Sequence, residues 1–251
     1  MNTKISIEMF ADELFVIIDE LYNSQHENIK KTAELCAEAI ANGGVIQVMG
    51  SGHSIGFGME MCNRAGTLVP INNIKMQDFV IKGKVSYEEF KDPKDHFERK
   101  PGVADKLYDL YDIKPEDIFI IISNSGINGV VIDLALHAKK MNHKVIVVTS
   151  WQHTSTEASR HPSGKKLYQI GDVVIDNCGP QGDALIATDG PEKICSISSI
   201  TGAYIAQTIG TEVCETLITK GVDLPVLWSI KQENHLEHNQ ELLKKYEGRI
   251  G

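Results

Sequence analysis

Short apolar segments that do not alternate with polar residues constrain the fold of this chain more than any other feature. The three strongest are "VIQVM" (45–49), "DIFIII" (117–122) and "KVIVVTS" (144–150). A strand that is apolar at successive positions is buried on both faces, as in parallel sheets covered by helices on both sides. Amphipathic helical patterns separate these segments, so the sequence predicts an α/β fold.

The remaining patterns complete a doubly wound domain. Two weaker segments, "LVPINNI" (68–74) and "GDVVIDN" (171–177), are candidate strands. Helices are predicted over 5–42, 55–64, 103–111, 130–141, 196–220 and 233–250, with Asn23-Ser24 as a candidate break in the first. We therefore predict a three-layer αβα domain with five parallel strands, an N-terminal helical arm (1–42) and a C-terminal helical tail (230–251). The polar, aperiodic segment 75–101 is predicted to be an insertion or lid outside the core.

The charge of the chain excludes several classes of partner. It carries a formal net charge of -9 and has no block of Lys and Arg of the kind that binds nucleic acid. Its apolar runs fall far short of the roughly 20 residues that a membrane helix needs. The five cysteines are widely spaced and odd in number, which indicates reduced, mostly buried thiols rather than disulfides. We expect a soluble, cytoplasmic protein that binds neither nucleic acid nor membrane.

Hydroxyl-bearing loops follow three of the predicted strands. They are Gly50-Ser51-Gly52-His53-Ser54, Ser123-Asn124-Ser125-Gly126-Ile127-Asn128, and Thr149-Ser150. Ligands of open parallel sheets bind at the carboxyl ends of strands, and helix N-termini there attract anions. Two such loops on neighbouring strands favour a phosphate ligand. Capping and turn formation are the alternative role of each loop, and both roles can coexist.

A dinucleotide site fits these loops poorly. The pattern G-x-G-x-x-G that begins at Gly50 needs glycine at position 55, where the chain has Ile55. The second strand ends in Asn72-Asn73 and offers no carboxylate for a ribose. The phosphate-binding pattern G-x-x-x-x-G-K-[ST] is absent from the sequence.

These motifs together resemble the sugar isomerase (SIS) domain family of phosphosugar-binding proteins. The stretches that carry the resemblance are "GSGHS" with Glu60 and "NRAG", "ISNSGIN", "SRHPSGKKLYQIGDVVIDNCGPQGDA" and "EHNQELLKKYEGRI". They are most similar to a largely uncharacterised bacterial group whose members are labelled phosphosugar or phosphoheptose isomerases. The resemblance spans nearly the whole chain and implies a single SIS domain over 1–251, flavodoxin- or Rossmann-like in its sheet.

The resemblance also implies an assembly and a binding site. SIS relatives form dimers or tetramers that build sites between subunits, so we expect a homodimer or homotetramer. They hold the sugar phosphate with the Ser/Thr loop after a central strand. The predicted substrate- and phosphate-binding residues are Gly52, His53, Ser54, Ser123, Asn124, Ser125, Asn128, Thr149 and Ser150.

Catalytic residues follow from the same resemblance. Isomerase members move a proton between C1 and C2 through an enediol, and Glu60 lies on the helix where phosphoheptose isomerases place acid/base residues. His238, in the tail, is the second candidate. The alternatives are a solvated residue or an interface ion pair for Glu60 and a surface residue for His238. Some phosphoheptose isomerases carry zinc, but the spacing of His53, Glu60 and His238 shows no ligand pair, so we predict neither metal nor cofactor.

The sequence thus predicts a phosphosugar-binding protein that acts as an aldose–ketose isomerase. A non-catalytic phosphosugar sensor is the main alternative, because SIS domains also occur in transcription factors. No basic recognition helix precedes the domain here, which argues against direct DNA binding. A sugar-phosphate lyase or etherase is a third option, disfavoured because "GSGHS" lacks the "TSGR" pattern of those enzymes.

Overall fold

The sheet at the centre of the molecule has five parallel strands in the order β2-β1-β3-β4-β5. The computed structural model describes residues 5–94, 96–100 and 102–251. In chain order the strands are β1 (Ile46–Gly50), β2 (Ile71–Ile74), β3 (Ile118–Ile122), β4 (Val145–Thr149) and β5 (Val173–Asp176). Every residue of β1, β3 and β4 is buried, as their unbroken apolar sequences require. The predicted doubly wound αβα fold is confirmed.

Helices cover both faces of this sheet. In chain order they are α1 (Ile7–Ala41), α2 (Ile55–Met61), α3 (Asp78–Ile81), α4 (Tyr87–Phe90), α5 (Val103–Tyr108), α6 (Gly129–Lys140), α7 (Trp151–Thr156), α8 (Ser198–Thr219) and α9 (His235–Lys245). One core lies between the sheet and α1, α2 and α8, and the other between the sheet and α5 and α6. Ile120 points into the first core, and its neighbours Phe119 and Ile121 point into the second. In the described part of the chain, no helix combines the length and the apolar character that crossing a bilayer requires.

Helix α1 is continuous over 35 residues, so the candidate break at Asn23-Ser24 is wrong. The Asn23 amide donates to the Asp19 carbonyl at 2.8 Å, and Ser24 Oγ lies 3.8 Å from Cys178 Sγ. These contacts satisfy both polar side chains without interrupting the helix. Buried residues such as Leu21 pack α1 against α8, so the predicted arm forms part of a layer. Residues 1–4 of the arm lie outside the described residues.

The segment 75–101 contributes to the core, which corrects the prediction that it lies outside. It contains α3, α4 and a 3₁₀ turn at Phe97–Arg99. Phe79 and Phe97 are buried, and their rings meet edge to face with centroids 5.1 Å apart. The helices α3 and α4 have only four residues each, too few to show a period in the sequence. A role as a lid stays a prediction, and positions 95 and 101 lie outside the described residues.

A small antiparallel hairpin follows the main sheet and was not predicted. It pairs β6 (Ala184–Ala187) with β7 (Lys193–Ser196). Strands of four residues are too short for alternation to identify them, although "TDGPE" between them is rich in turn-forming residues. The helices α2 and α5 also end earlier than predicted, at Met61 and Tyr108.

A C-terminal strap, residues 246–250, packs against the amino edge of the sheet. Tyr246 is buried beside Val45. Arg249 forms an ion pair with Asp117, whose side chain has no solvent exposure, while that of Arg249 is 15% exposed. The Asp117 carboxylate also accepts from the Val45 N–H and the Gln47 amide, both at 2.9 Å. The strap therefore joins the end of the chain to β1 and β3 through a buried carboxylate.

Candidate functional site

The first two predicted loops lie side by side at the carboxyl edge of the sheet. Strand β1 has β2 on one side and β3 on the other, and its register pairs Gly50 with Ile122. The strand order therefore reverses between β1 and β3, and such switch points are where open α/β sheets bind ligands. Loops 50–54 and 123–128 leave the sheet at this point.

Loop 50–54 turns sharply because Gly50 has no side chain. A Cβ atom at Gly50 would lie 2.2 Å from the carbonyl oxygen of Ser54, which folds back over it through a 3₁₀ turn. Gly52 has a φ of 60°, a left-handed conformation that favours glycine. His53 is exposed and Ser54 half-buried, and neither side chain has a hydrogen-bond partner among the described residues. Both side chains are available to a ligand.

Loop 123–128 is held in shape by buried hydroxyls beneath it. Ser123 is buried, and its Oγ accepts the Gly126 N–H at 3.1 Å. Gly126 has a φ of 63°, and a Cβ there would lie 2.9 Å from Thr154 Oγ1 and 3.0 Å from Thr149 Oγ1. The Asn124 carbonyl accepts from Thr149 Oγ1 at 3.2 Å. The loop therefore has little room to change conformation.

The side chains of the third predicted loop, Thr149-Ser150, form hydrogen bonds within the protein. Both residues are buried, and Ser150 Oγ donates to the Gly179 carbonyl at 2.6 Å while it caps α7. The Asn124 side chain is likewise engaged, because its Oδ1 accepts from Asn177 Nδ2 at 2.9 Å. These groups fix the loops in this structure, and ligand binding by Asn124, Thr149 and Ser150 stays a prediction.

Ser125 and Asn128 keep their polar side chains free. Both are half-buried, and neither side chain hydrogen-bonds to any residue that the structure describes. The first N–H groups of any helix lack partners within it, and Asn128, which immediately precedes α6, does not cap those of α6 with its side chain. They border a cleft of about 320 Å³, named here the α6 cleft, with the lining Glu98, Gly102, Asn128, Gly129, Val130, Asp133, Arg160, His161 and Pro162. The free donors and the helix dipole favour an anion here.

Glu60 lies away from these loops within the protomer. Its carboxylate accepts from Arg64 Nη1 at 2.5 Å and from Gln207 Nε2 at 2.6 Å. It lines a separate cleft of about 270 Å³ that reaches Ile71, the first residue of β2. That cleft therefore lies toward the amino end of β2, whereas the loops lie at the carboxyl ends of β1 and β3.

His238 belongs to α9 and is also remote from the loops. Its ring stacks on Trp228 with centroids 3.8 Å apart, and its Nε2 lies 3.0 Å from the Val226 carbonyl oxygen. No contact among the described residues joins His238 to Glu60. The structure thus does not bring the predicted acid/base pair together within one protomer, and their catalytic role stays a prediction.

The Cys178 thiol is a poor nucleophile. All five cysteines are free, and Cys178 is buried with a φ of 56°. Burial, helped by the nearby charge of Asp176, raises the pKa of Cys178 to about 11, so it is protonated at neutral pH. Among the residues described, no group of three or more His, Cys, Asp or Glu side chains could hold a metal ion.

Sequence reasoning assigned no ligand contact to Arg160, which the structure places in the α6 cleft. Its N–H donates to the Ile127 carbonyl at 3.2 Å, and this bond brings the 159–165 loop beside loop 123–128. The signal available in the sequence was a lone arginine in the matched stretch "SRHPSGKK". That signal does not show the contact, because Arg160 follows β4 and α7 whereas its partner Ile127 lies in the loop after β3.

Sequence comparisons place the chain among known proteins over nearly its full length. A family model described as the SIS domain matches residues 9–150. A UPF0309 protein of Listeria monocytogenes is 37% identical over 243 residues, which cover 96% of this chain and 97% of the relative. A UPF0309 protein of Geobacillus kaustophilus is 34% identical over 246 residues, which cover 97% of this chain and 95% of the relative.

Solved structures share the fold. A phosphoheptose isomerase from Francisella tularensis superposes with a TM-score of 0.53 at 18% identity, covering 83% of this chain and 96% of that one. A phosphoheptose isomerase from Neisseria gonorrhoeae gives a TM-score of 0.51 at 18% identity, covering 83% and 95%. The family model and the long alignments with the relatives agree with this fold, and the chain belongs to the SIS domain family, among its UPF0309 proteins.

Proposed function

We propose that this protein binds a sugar phosphate at the β1/β3 switch point and isomerises it between aldose and ketose. The observation that carries the proposal is the pair of unbonded side chains in loop 123–128, Ser125 and Asn128, of which Asn128 lies at the uncapped start of α6. This loop leaves the sheet beside loop 50–54. Hydroxyl, amide and backbone N–H donors suit a phosphate without requiring positive net charge. This matters because the chain as a whole carries a charge of -9.

The isomerisation itself needs groups that move protons. A base must act at the α-carbon, an acid must act on the carbonyl oxygen, and water must be excluded. In this protomer Glu60 lines another cleft and His238 stacks on Trp228, so in the proposed mechanism a second protomer presents them to the ligand. The proposed homodimer or homotetramer with sites between subunits would supply that arrangement.

A phosphosugar sensor is the second candidate function. The observation that favours it is the position of Glu60, which is bonded to Arg64 and Gln207 in a different cleft from the loops. A protein that only binds needs the loops and the start of α6, but no proton-transfer group. The two functions therefore differ in chemistry, not in the binding site.

Thermal-shift screening against sugar phosphates separates these functions when it is followed by a proton-exchange measurement. The panel is glucose 6-phosphate, glucosamine 6-phosphate and sedoheptulose 7-phosphate. For each sugar phosphate that stabilises the protein, NMR in D₂O then follows exchange of the proton at the carbon next to the carbonyl. Binding with exchange supports the isomerase, and binding without exchange supports the sensor.

Replacing Ser125 with alanine should weaken sugar-phosphate binding by about 1–3 kcal/mol, the value of a hydrogen bond to a charged group. Isothermal titration with the tightest sugar phosphate of the panel measures this change. Ser155→Ala is the matched control, because Ser155 is exposed on α7 and, within the described part of the chain, its Oγ donates only to the Gln152 carbonyl. Equal affinity of Ser125→Ala and the unaltered protein would place the phosphate elsewhere.

Replacing Glu60 with glutamine should slow proton exchange by about 100-fold or more, the usual contribution of a general acid or base. Sugar-phosphate affinity should change little, since the proposed phosphate contacts come from other loops. Glu215→Gln is the control, because it removes an exposed carboxylate from α8. Exchange at the unaltered rate would remove Glu60 from the mechanism.

A further inference from the structure

We infer that Arg160 is the cation that fixes the phosphate in the α6 cleft, an inference that rests on the proposed function and extends it. Arg160 lines this cleft together with Asn128 and Gly129, at the uncapped start of α6. Its guanidinium forms no ion pair or hydrogen bond with any described residue. An unpaired arginine beside free helix N–H groups supplies the planar, charged donors that bind phosphate in a bidentate manner.

The backbone that carries Arg160 is fixed on both sides. The Arg160 N–H donates to the Ile127 carbonyl at 3.2 Å. His161 lies next in the chain, and its Nε2 is 2.7 Å from Asp133 Oδ1 on α6, with only 10% of the His161 side chain exposed. On the other side, Ser159 Oγ donates to the Lys165 carbonyl at 2.6 Å. Arg160 is therefore a free side chain on a braced backbone, which lowers the entropy lost on binding.

Two carboxylates in the cleft indicate which anion it accepts. Asp133 lines the cleft, and its Oδ1 is engaged by His161 Nε2 at 2.7 Å. Glu98 is exposed, and it also lines a neighbouring cleft of about 400 Å³ that reaches Ser51 and Gly52 in the first loop. A carboxylate accepts hydrogen bonds from sugar hydroxyls but repels a second anionic group. The cleft thus matches a ligand with one phosphate and a chain of hydroxyls, such as an open-chain sugar phosphate.

Isothermal titration of the full chain tests the role of Arg160. The probes are the tightest sugar phosphate of the panel, the same sugar without phosphate, and inorganic phosphate. Arg160→Gln should weaken sugar-phosphate binding about 10- to 100-fold, as for lost hydrogen bonds to a charged group. Arg160→Lys should recover only part of the affinity, because lysine cannot bind phosphate through a planar fork.

Lys165→Gln is the matched control. It removes the same charge from the same loop, and Lys165 is exposed like Arg160, but Lys165 does not line the cleft. Its effect on affinity should stay below about threefold, since a charge outside the cleft makes no direct contact with the phosphate and acts only through screened, longer-range attraction. Equal thermal midpoints of the three variants without ligand would show that each is folded.

The possible results distinguish a failure of the proposed function from a failure of the role of Arg160. If no sugar phosphate stabilises the unaltered protein, the proposed function fails and the role of Arg160 fails with it. If the unaltered protein binds and Arg160→Gln binds equally well, Arg160 is not the phosphate cation, but the binding function stands. Equal losses for Arg160→Gln and Lys165→Gln would also overturn the inference, because general electrostatic attraction would then explain the effect.

Discussion

Replacing Arg249 with alanine should lower the free energy of unfolding by about 3–5 kcal/mol, the usual cost of removing one partner from a buried ion pair. Asp117 is completely buried, and Arg249 is its only charged partner among the described residues. Its remaining donors, the Val45 and Lys114 N–H groups and the Gln47 amide, are neutral. The variant would therefore leave a carboxylate in the interior without a cation.

Urea denaturation of the unaltered protein and of Arg249→Ala measures this loss of unfolding free energy. The matched control is Lys114→Ala, which breaks the nearby exposed ion pair between Lys114 and Asp112. Exposed pairs contribute about 0–1 kcal/mol, so the control should unfold almost like the unaltered protein. A similar, small loss for Arg249→Ala and Lys114→Ala would show that water reaches Asp117 and that the strap does not seal it.

Replacing Gly50 with alanine should cost about 3 kcal/mol of stability and disrupt sugar-phosphate binding. The new Cβ would lie 2.2 Å from the Ser54 carbonyl oxygen and 2.5 Å from its carbonyl carbon. These are backbone atoms, so relief requires a shift of the whole 50–54 turn rather than a rotation of a side chain. Because Ser54 and the first loop border the proposed site, the shift should weaken binding about 10-fold or more.

Gly56→Ala is the natural control for this change. Gly56 lies within α2, and a Cβ there would meet no atom within 4 Å. Alanine is a better helix former than glycine, so this variant should gain about 0.5–1 kcal/mol and bind sugar phosphate normally. Thermal unfolding and titration calorimetry on both variants test the pair. Unchanged stability of Gly50→Ala would contradict the tight turn described for the first loop.

The sheet could be predicted from the sequence because its strands can be recognised from their own local residue patterns. The runs that became β1, β3 and β4 are apolar at nearly every position, and only burial on both faces accommodates that pattern. The predicted helix break at Asn23-Ser24 was wrong because contacts with distant residues decide the structure there. Local propensity disfavours a helix there, but packing of α1 against α8 and the bond from Asn23 to Asp19 outweigh it.

The sequence was enough to predict which loops form the candidate site, but not which of their side chains are free to bind a ligand. Strand-end position identified the loops, since parallel strands end at a common edge. Which hydroxyls are free depends on distant partners: Ser150 is bonded to Gly179, and Asn124 to Asn177. No local pattern distinguishes Ser123, which is bonded, from Ser125, which is not. The entry of Arg160 into the α6 cleft depends in the same way on a bond to Ile127.

The strap has a consequence for the order of events during synthesis. Arg249 follows Asp117 by 132 positions, and ribosomes add about 5–20 residues per second, so their emergence is separated by roughly 7–26 s. Throughout that interval β1 and β3 can both be complete while the Asp117 carboxylate has no cation. A charged carboxylate keeps its water until a counter-charge arrives. The amino edge of the nascent sheet is therefore less stable, and more accessible to chaperones and proteases, until the strap has been made.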